Sequence, residues 1–180
     1  MKPEVRTLAF DDSPHTRVDG RVPVVGVHMR GAASVEGLLL TDVMRDGGDA
    51  TNRIARCVAD AGLRGVKAIL LDGASFAGFN VVDLDGLHAE TRIPCLAFTR
   101  GAPDLAAMRA ALRNVPDPEA KWALLARRRL VTFATDATPI TVSFAGMDET
   151  QAAALLAATT ARGHTPEGLR LAHMVAALVQ

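Results

Sequence analysis

The apolar residues of this chain change period once, near residue 45, and that change limits the folds open to it. Before it, three segments read as strands: residues 5–10, 22–29 and 34–43. The turns between them are short and carry Pro14, Asp19-Gly20 and Gly31. Connections of that length join strands antiparallel, so the first quarter predicts a three-strand meander. After the change, residues 49–58 space their apolar groups as a helix does, and Gly62 stops it. Residues 66–71, apolar but for Lys67, read as a strand buried on both faces, as do 94–98. Further strands are predicted at 130–133 and 140–144. Further helices are predicted at 83–90, 102–112, 118–128, 148–161 and 166–179. Thr165 is placed to cap the last helix, with Pro166 at its first position and Glu167 in its first turn.

The order is three strands, then alternating helices and strands, then helices. It predicts an α/β fold: a mixed sheet, antiparallel meander plus parallel βα units, with helices on both faces. Ribonuclease H-like nucleases have this order, in three layers. The chain has 180 residues, enough for one domain over 1–180. Hydrophobic residues make up 49%, too many for intrinsic disorder. No apolar run reaches the ~18 residues of a membrane span, and Met1-Lys2-Pro3-Glu4 begins no signal-peptide core. A cytoplasmic protein without membrane attachment is expected. Cys57 and Cys95 have neither zinc nor redox spacing and read as small buried hydrophobes.

The formal net charge is zero, which removes any global attraction to nucleic acid. The halves differ. Residues 1–90 hold ten cations and thirteen anions, and residues 91–180 hold ten cations and seven anions. Any nucleic-acid contact must therefore be local.

No P-loop, nucleophile elbow or dinucleotide fingerprint is present; the Gly-rich segment 73–80 matches none of them. Carboxylates at strand ends remain. Asp11 and Asp12 close the first strand, Asp72 closes the buried strand, and Asp46 and Asp49 follow the third. In a ribonuclease H-like sheet the first and buried strands lie side by side, so their acids reach one edge. Clustered carboxylates repel, and a hard divalent cation, Mg²⁺ or Mn²⁺, relieves that cost. Such a site suits phosphodiester hydrolysis. Taken singly, Asp72-Gly73 reads as a turn, and Asp49 as a helix cap. Phe76 and Phe79 either stack on a base or pack; Asn80 either caps the following helix or meets a phosphate. Arg170 and His173 share a helix face. Arg127, Arg128 and Arg129, the one basic run, either meet a phosphate or form a solvated helix end.

Five segments together resemble one family. They are Phe10-Asp11-Asp12, Met44-Arg45-Asp46-Gly47-Gly48-Asp49-Ala50, Leu71-Asp72-Gly73, Phe76-Ala77-Gly78-Phe79-Asn80-Val81-Val82-Asp83 and Pro166-Glu167-Gly168-Leu169-Arg170-Leu171-Ala172-His173. The family is the endonuclease V-like family also called endonuclease dU, and the similarity runs over residues 3–177. Its relative endonuclease V is a ribonuclease H-like, Mg²⁺-dependent enzyme that nicks 3′ of a deaminated base. The resemblance implies metal ligands at Asp11, Asp46 and Asp72, with Asp42 and Asp49 as rivals of Asp46. It implies Arg100 where endonuclease V has a catalytic Lys. Arg100 stays protonated, so it can hold a phosphate but cannot act as a base. Gly73, Phe79, Asn80, Arg170 and His173 are the candidate substrate contacts. The chain departs from endonuclease V at Ser34-Val35-Glu36-Gly37, where an aromatic wedge is missing. It also departs at Ala145-Gly146-Met147, where a His is missing. The expectation is a metal-dependent endonuclease of uracil- or inosine-containing nucleic acid, with DNA as partner. Its alternatives are a non-catalytic nucleic-acid-binding module and a metal-dependent phosphohydrolase of small nucleotides.

Overall fold

Alternation along the first strand gives the molecule two apolar sides. Leu8 and Phe10 enter one buried cluster, and Ala9 between them enters another. Successive side chains of a strand point to opposite faces, so both faces of the sheet need cover. The computed structural model describes residues 4–136 and 138–179. The expectation drawn from Met1, Lys2 and Pro3 lies outside the described residues.

The chain runs β1 (Arg6–Asp12), β2 (Arg21–Arg30), β3 (Ser34–Met44), α1 (Ala50–Asp60), β4 (Val66–Asp72), β5 (Ser75–Phe76), β6 (Asn80–Val81) and α2 (Leu84–Thr91). It continues with β7 (Cys95–Arg100), α3 (Leu105–Leu112), α4 (Pro118–Ala126), β8 (Val131–Phe133), β9 (Ile140–Ala145), α5 (Glu149–Thr159) and α6 (Glu167–Ala176). A seven-stranded sheet has the order β3-β2-β1-β4-β7-β9-β8. The meander is antiparallel, β1 to β2 to β3. β1 with β4 and β4 with β7 are parallel, and β7–β9 and β8–β9 are antiparallel. The mixed α/β sheet is thus the expected one.

Helices cover both faces. α1 and α2 bury Ile54, Ala55 and Leu87 with Leu8, Phe10, Ile69 and Leu71. On the other face α5 and α6 bury Leu155 and Leu169 with Ala9, Leu70, Leu96 and Phe98. Ala172 and Ala176 of α6 close over Val25, Val27 and Met29 of β2. Ala68, Ile69, Leu70 and Leu71 are all at most 2% exposed, as a strand buried on both faces requires.

The caps correct several element ends. α3 begins at Leu105 because Asp104 accepts a hydrogen bond from the Ala107 N–H at 2.9 Å. α5 begins after Asp148, which forms a capping box with Gln151. α6 is preceded by Pro166 in an extended conformation (ψ 133°), so Pro166 and not Thr165 holds the cap position. The Gly-rich segment 73–80 carries most of the β5–β6 hairpin, which ends at Val81. Among the described residues no helix is long and apolar enough to cross a membrane.

Candidate active site at the strand ends

The period of a strand decides where each strand-end acid goes. Asp11 has the parity of Ala9, Asp72 that of Leu70, and Arg100 that of Phe98, so all three face α5 and α6. Asp12 has the parity of Leu8 and Phe10 and faces the other way. There its Oδ2 accepts the Ala77 N–H at 2.9 Å and holds the β5–β6 turn.

α6 brings the third group. Gly168 lets the helix lie close on the sheet: a Cβ there would sit 2.8 Å from Ala9 Cβ and 3.2 Å from Met29 Cγ. Further along the helix, His173 Nδ1 lies 2.8 Å from Asp11 Oδ2. Asp11, Asp72 and His173 each offer a ligand atom, and these atoms all lie within 4.8 Å of one another. Arg100 Nη2 is 3.7 Å from Asp72 Oδ2.

The electrostatics are those of a site short of positive charge. Burial pushes the Asp11 carboxyl up to about 6; the neighbouring Asp72 charge adds to this and the His173 hydrogen bond opposes it. Burial also raises Asp72, against the pull of Arg100 and His173. Asp12 is raised by burial and held back by the Ala77 N–H. The buried carboxylate of Asp11 and the half-buried one of Asp72, beside the exposed imidazole of His173, can accept a divalent cation, which would favour ionised carboxylates and a neutral imidazole.

Asp46, expected as the third carboxylate, is not among the converging atoms. Its Oδ1 accepts the Phe79 N–H at 2.9 Å and its Oδ2 pairs with Arg45. Its backbone is left-handed (φ 50°), and its carbonyl accepts from the buried Lys121 Nζ at 2.6 Å. These bonds tie it to the hairpin and to α4. The rivals are engaged elsewhere too. Asp42 pairs with Arg21 and Arg53. Asp49 occupies the α1 cap position but makes no cap bond; its Oδ1 accepts from Met44 N and Asn80 Nδ2.

The remaining candidates divide. Gly73 (φ 89°) turns the chain immediately after Asp72, a conformation that favours glycine. Asn80 is fully buried and caps α1, the preceding helix, by accepting from Ala50 N at 2.9 Å. It therefore neither caps α2, whose cap is Asp83, nor faces a phosphate. Phe76 is fully buried in the core and Phe79 packs against the same cluster, so packing is their observed role. Arg170 pairs with Glu167, Nη2 to Oε2 2.7 Å. His173, expected as a substrate contact, stands among the acids. Its signal was the run of small residues Gly168, Ala172 and Ala176, which marks the α6 face able to approach β1 and β2.

A mixed sheet in this order with helices on both faces is a ribonuclease H-like fold, and it sets acids at the adjacent ends of β1 and β4. The family model for endonuclease dU matches residues 3–180, and the chain belongs to that family. A UPF0215 protein of Thermococcus gammatolerans is 39% identical over 184 residues, covering 99% of this chain and 94% of the relative. A solved Archaeoglobus fulgidus protein of unknown function is 31% identical with a TM-score of 0.86, covering 96% of each chain. Two likenesses are of fold alone. The catalytic domain of human endonuclease V is 16% identical with a TM-score of 0.60, covering 97% of this chain and 83% of that one. Ciona intestinalis endonuclease V, solved with inosine-containing DNA, is 14% identical with a TM-score of 0.58, covering 93% and 82%.

Proposed function

We propose that this protein is a divalent-metal-dependent endonuclease that hydrolyses a phosphodiester in DNA carrying a deaminated base, uracil or hypoxanthine. The convergence of Asp11, Asp72 and His173 within 4.8 Å carries the reading. The DNA complex of the Ciona endonuclease V, a protein of similar fold, supports the choice of partner.

The donor set fits a cation. Two carboxylates suit Mg²⁺ or Mn²⁺. When bound, the cation supplies a Lewis acid for the phosphoryl oxygen and a water of lowered pKa. Asp11 and Asp72 would hold it. His173 fixes the Asp11 carboxylate through Nδ1–H, as an outer partner orients a ligand. Arg100, 57% exposed at its side chain and beside Asp72, steadies the charge of the incoming phosphodiester. Asp46 and Asp12 position the β5–β6 hairpin that flanks the site.

The test is nicking of uracil-, inosine- and undamaged DNA with Mg²⁺ or Mn²⁺. Cleavage of deaminated strands is expected, with loss in Asp72→Asn and in chelator. Intact strands with every substrate and both ions would sink the reading. Hydrolysis of free nucleotides without strand nicking would replace it with a small-nucleotide phosphohydrolase.

A further inference from the structure

The face of the sheet opposite Asp11 and Asp72 holds a second polar site. A cavity of about 180 Å³ lies between the start of α2, the end of α4 and β9. Arg127, Arg128, Arg129 and Ser143 line it with two carboxylates, Asp83 and Asp85, over apolar Leu84 and Leu124. Ser143 has the parity of Ala145, which is buried in the cluster under α1 and α2. It therefore lies on the face away from His173.

The three arginines there are not equivalent. Arg127 pairs with Asp83 and lies 3.8 Å from Asp85, and Arg129 pairs with Glu149 at 3.1 Å. Arg128 has no carboxylate. Its one hydrogen bond among the described residues runs from Nε to the Leu125 carbonyl, long at 3.3 Å. Burial alone lowers its affinity for the proton, with no acid to offset it. Ser143 is 3% exposed, and among the described residues its hydroxyl has no hydrogen-bond partner. Neither group is among the buried polar atoms left without a partner, so both reach solvent through the cavity. A guanidinium fork and a hydroxyl facing one cavity form a donor set open to an acceptor from solution.

We propose that this cavity binds a phosphoryl group, held by the Arg128 fork and the Ser143 hydroxyl. The fork presents paired N–H donors that match two phosphoryl oxygens. The volume is below the ~300 Å³ at which pockets begin to enclose a drug-sized ligand. It admits a phosphoryl group and water, not a whole nucleoside. Apolar walls from Leu84 and Leu124 strengthen each charged hydrogen bond. Asp83 is already committed, as the α2 cap through Gly86 N and as the partner of Arg127. The phosphoryl group comes either from free phosphate or from the terminus of a nucleic-acid strand, and one experiment separates the two.

The full-length protein is titrated with inorganic phosphate against chloride at matched ionic strength, and thermal unfolding is followed. Phosphate is expected to raise the midpoint to a plateau. Arg128→Gln should weaken the apparent affinity by roughly 10- to 100-fold, the loss of a charged hydrogen-bonding partner. Arg128→Lys should fall between, because it keeps the charge and loses the fork. Ser143→Ala tests the second donor and is expected to weaken binding by roughly 2- to 10-fold. Arg162→Gln, at an exposed arginine outside the cavity, should leave the response as in the parent. A short 5′-phosphorylated oligonucleotide and its unphosphorylated twin form the second arm. Tighter, Arg128-dependent binding of the phosphorylated strand assigns the site to a strand terminus; equal binding of the two strands, with phosphate still bound, assigns it to the free ion. An absent phosphate response in the parent overturns the proposal. An undiminished response in both folded Arg128 variants, or its loss in Arg162→Gln, does the same.

Discussion

His173 Nδ1 lies 2.8 Å from Asp11 Oδ2, across 162 residues of sequence. The contact ties the last helix to the first strand at the mouth of the acidic site. Among the described residues it is the one side-chain hydrogen bond that Asp11 accepts. His173→Ala should therefore lower Mn²⁺ affinity by roughly 10- to 100-fold, the cost of losing an orienting partner. Calorimetric titration of the metal checks this. An unchanged affinity would reduce the contact to a helix anchor.

The raised Asp11 carboxyl makes stability fall as pH rises. Its folded value is about 6 against an ordinary 3.8, so between those pH values the native state binds more protons than the unfolded chain. Stability then declines from about pH 4 to about pH 6 and levels off above. Two pKa units correspond to about 3 kcal/mol, an upper figure because neighbours rearrange. In chelator, Asp11→Asn should remove this component and raise the unfolding midpoint at pH 7. A saturating divalent cation should stabilise the parent at pH 7 and leave Asp11→Asn nearly unmoved. Equal pH profiles for parent and variant would show that Asp11 titrates normally.

Asp46→Ala should act on stability rather than on the metal. It leaves the Phe79 N–H without its acceptor, at about 1–3 kcal/mol, and frees Arg45 from its pair. A chain of this size loses roughly 2–4 °C per kcal/mol. Because Asp46 lies outside the converging ligand atoms, Mn²⁺ affinity should stay within about twofold of the parent. A tenfold loss of affinity at an unchanged unfolding midpoint would instead return Asp46 to the ligand set.

Gly168→Ala should weaken the site without touching a ligand. Alanine favours helix by up to ~1 kcal/mol over glycine. The added Cβ would nevertheless stand 2.8 Å from Ala9 Cβ, and overpacking of that kind costs about 1–3 kcal/mol. The clash wins, and α6 moves off the sheet carrying His173 away from Asp11. Lower stability and lower Mn²⁺ affinity are expected together. A crystal structure of the variant with the His173–Asp11 distance intact would refute the coupling.

Lys121→Met tests the buried support of the Asp46 turn. Its ammonium donates to the carbonyls of Asp46 and Pro116 at 2.6 and 2.5 Å. Methionine keeps the volume and strands both acceptors, at about 1–3 kcal/mol. Chemical denaturation should show the midpoint moving at constant slope. No change would mean that water replaces the ammonium without cost.

The seven strands of the main sheet, the six helices, the antiparallel meander and the strand buried on both faces were legible in the sequence. These depend on local period and turn chemistry, which neighbouring residues carry. The sequence also placed Asp11 and Asp72 at the ends of adjacent strands. Alternation could have separated Asp11 from Asp12, since one shares parity with Ala9 and the other with Phe10. What only the tertiary structure decided was which side chains meet across the chain. His173 reaches Asp11 because a groove of small residues lets α6 settle on β1 and β2. Asp46 turns to the hairpin because a left-handed backbone and the Phe79 N–H hold it there. Asn80 caps the helix before it because α1 starts beside it in space. Such pairings are set by packing between distant segments, and no local pattern of residues encodes them.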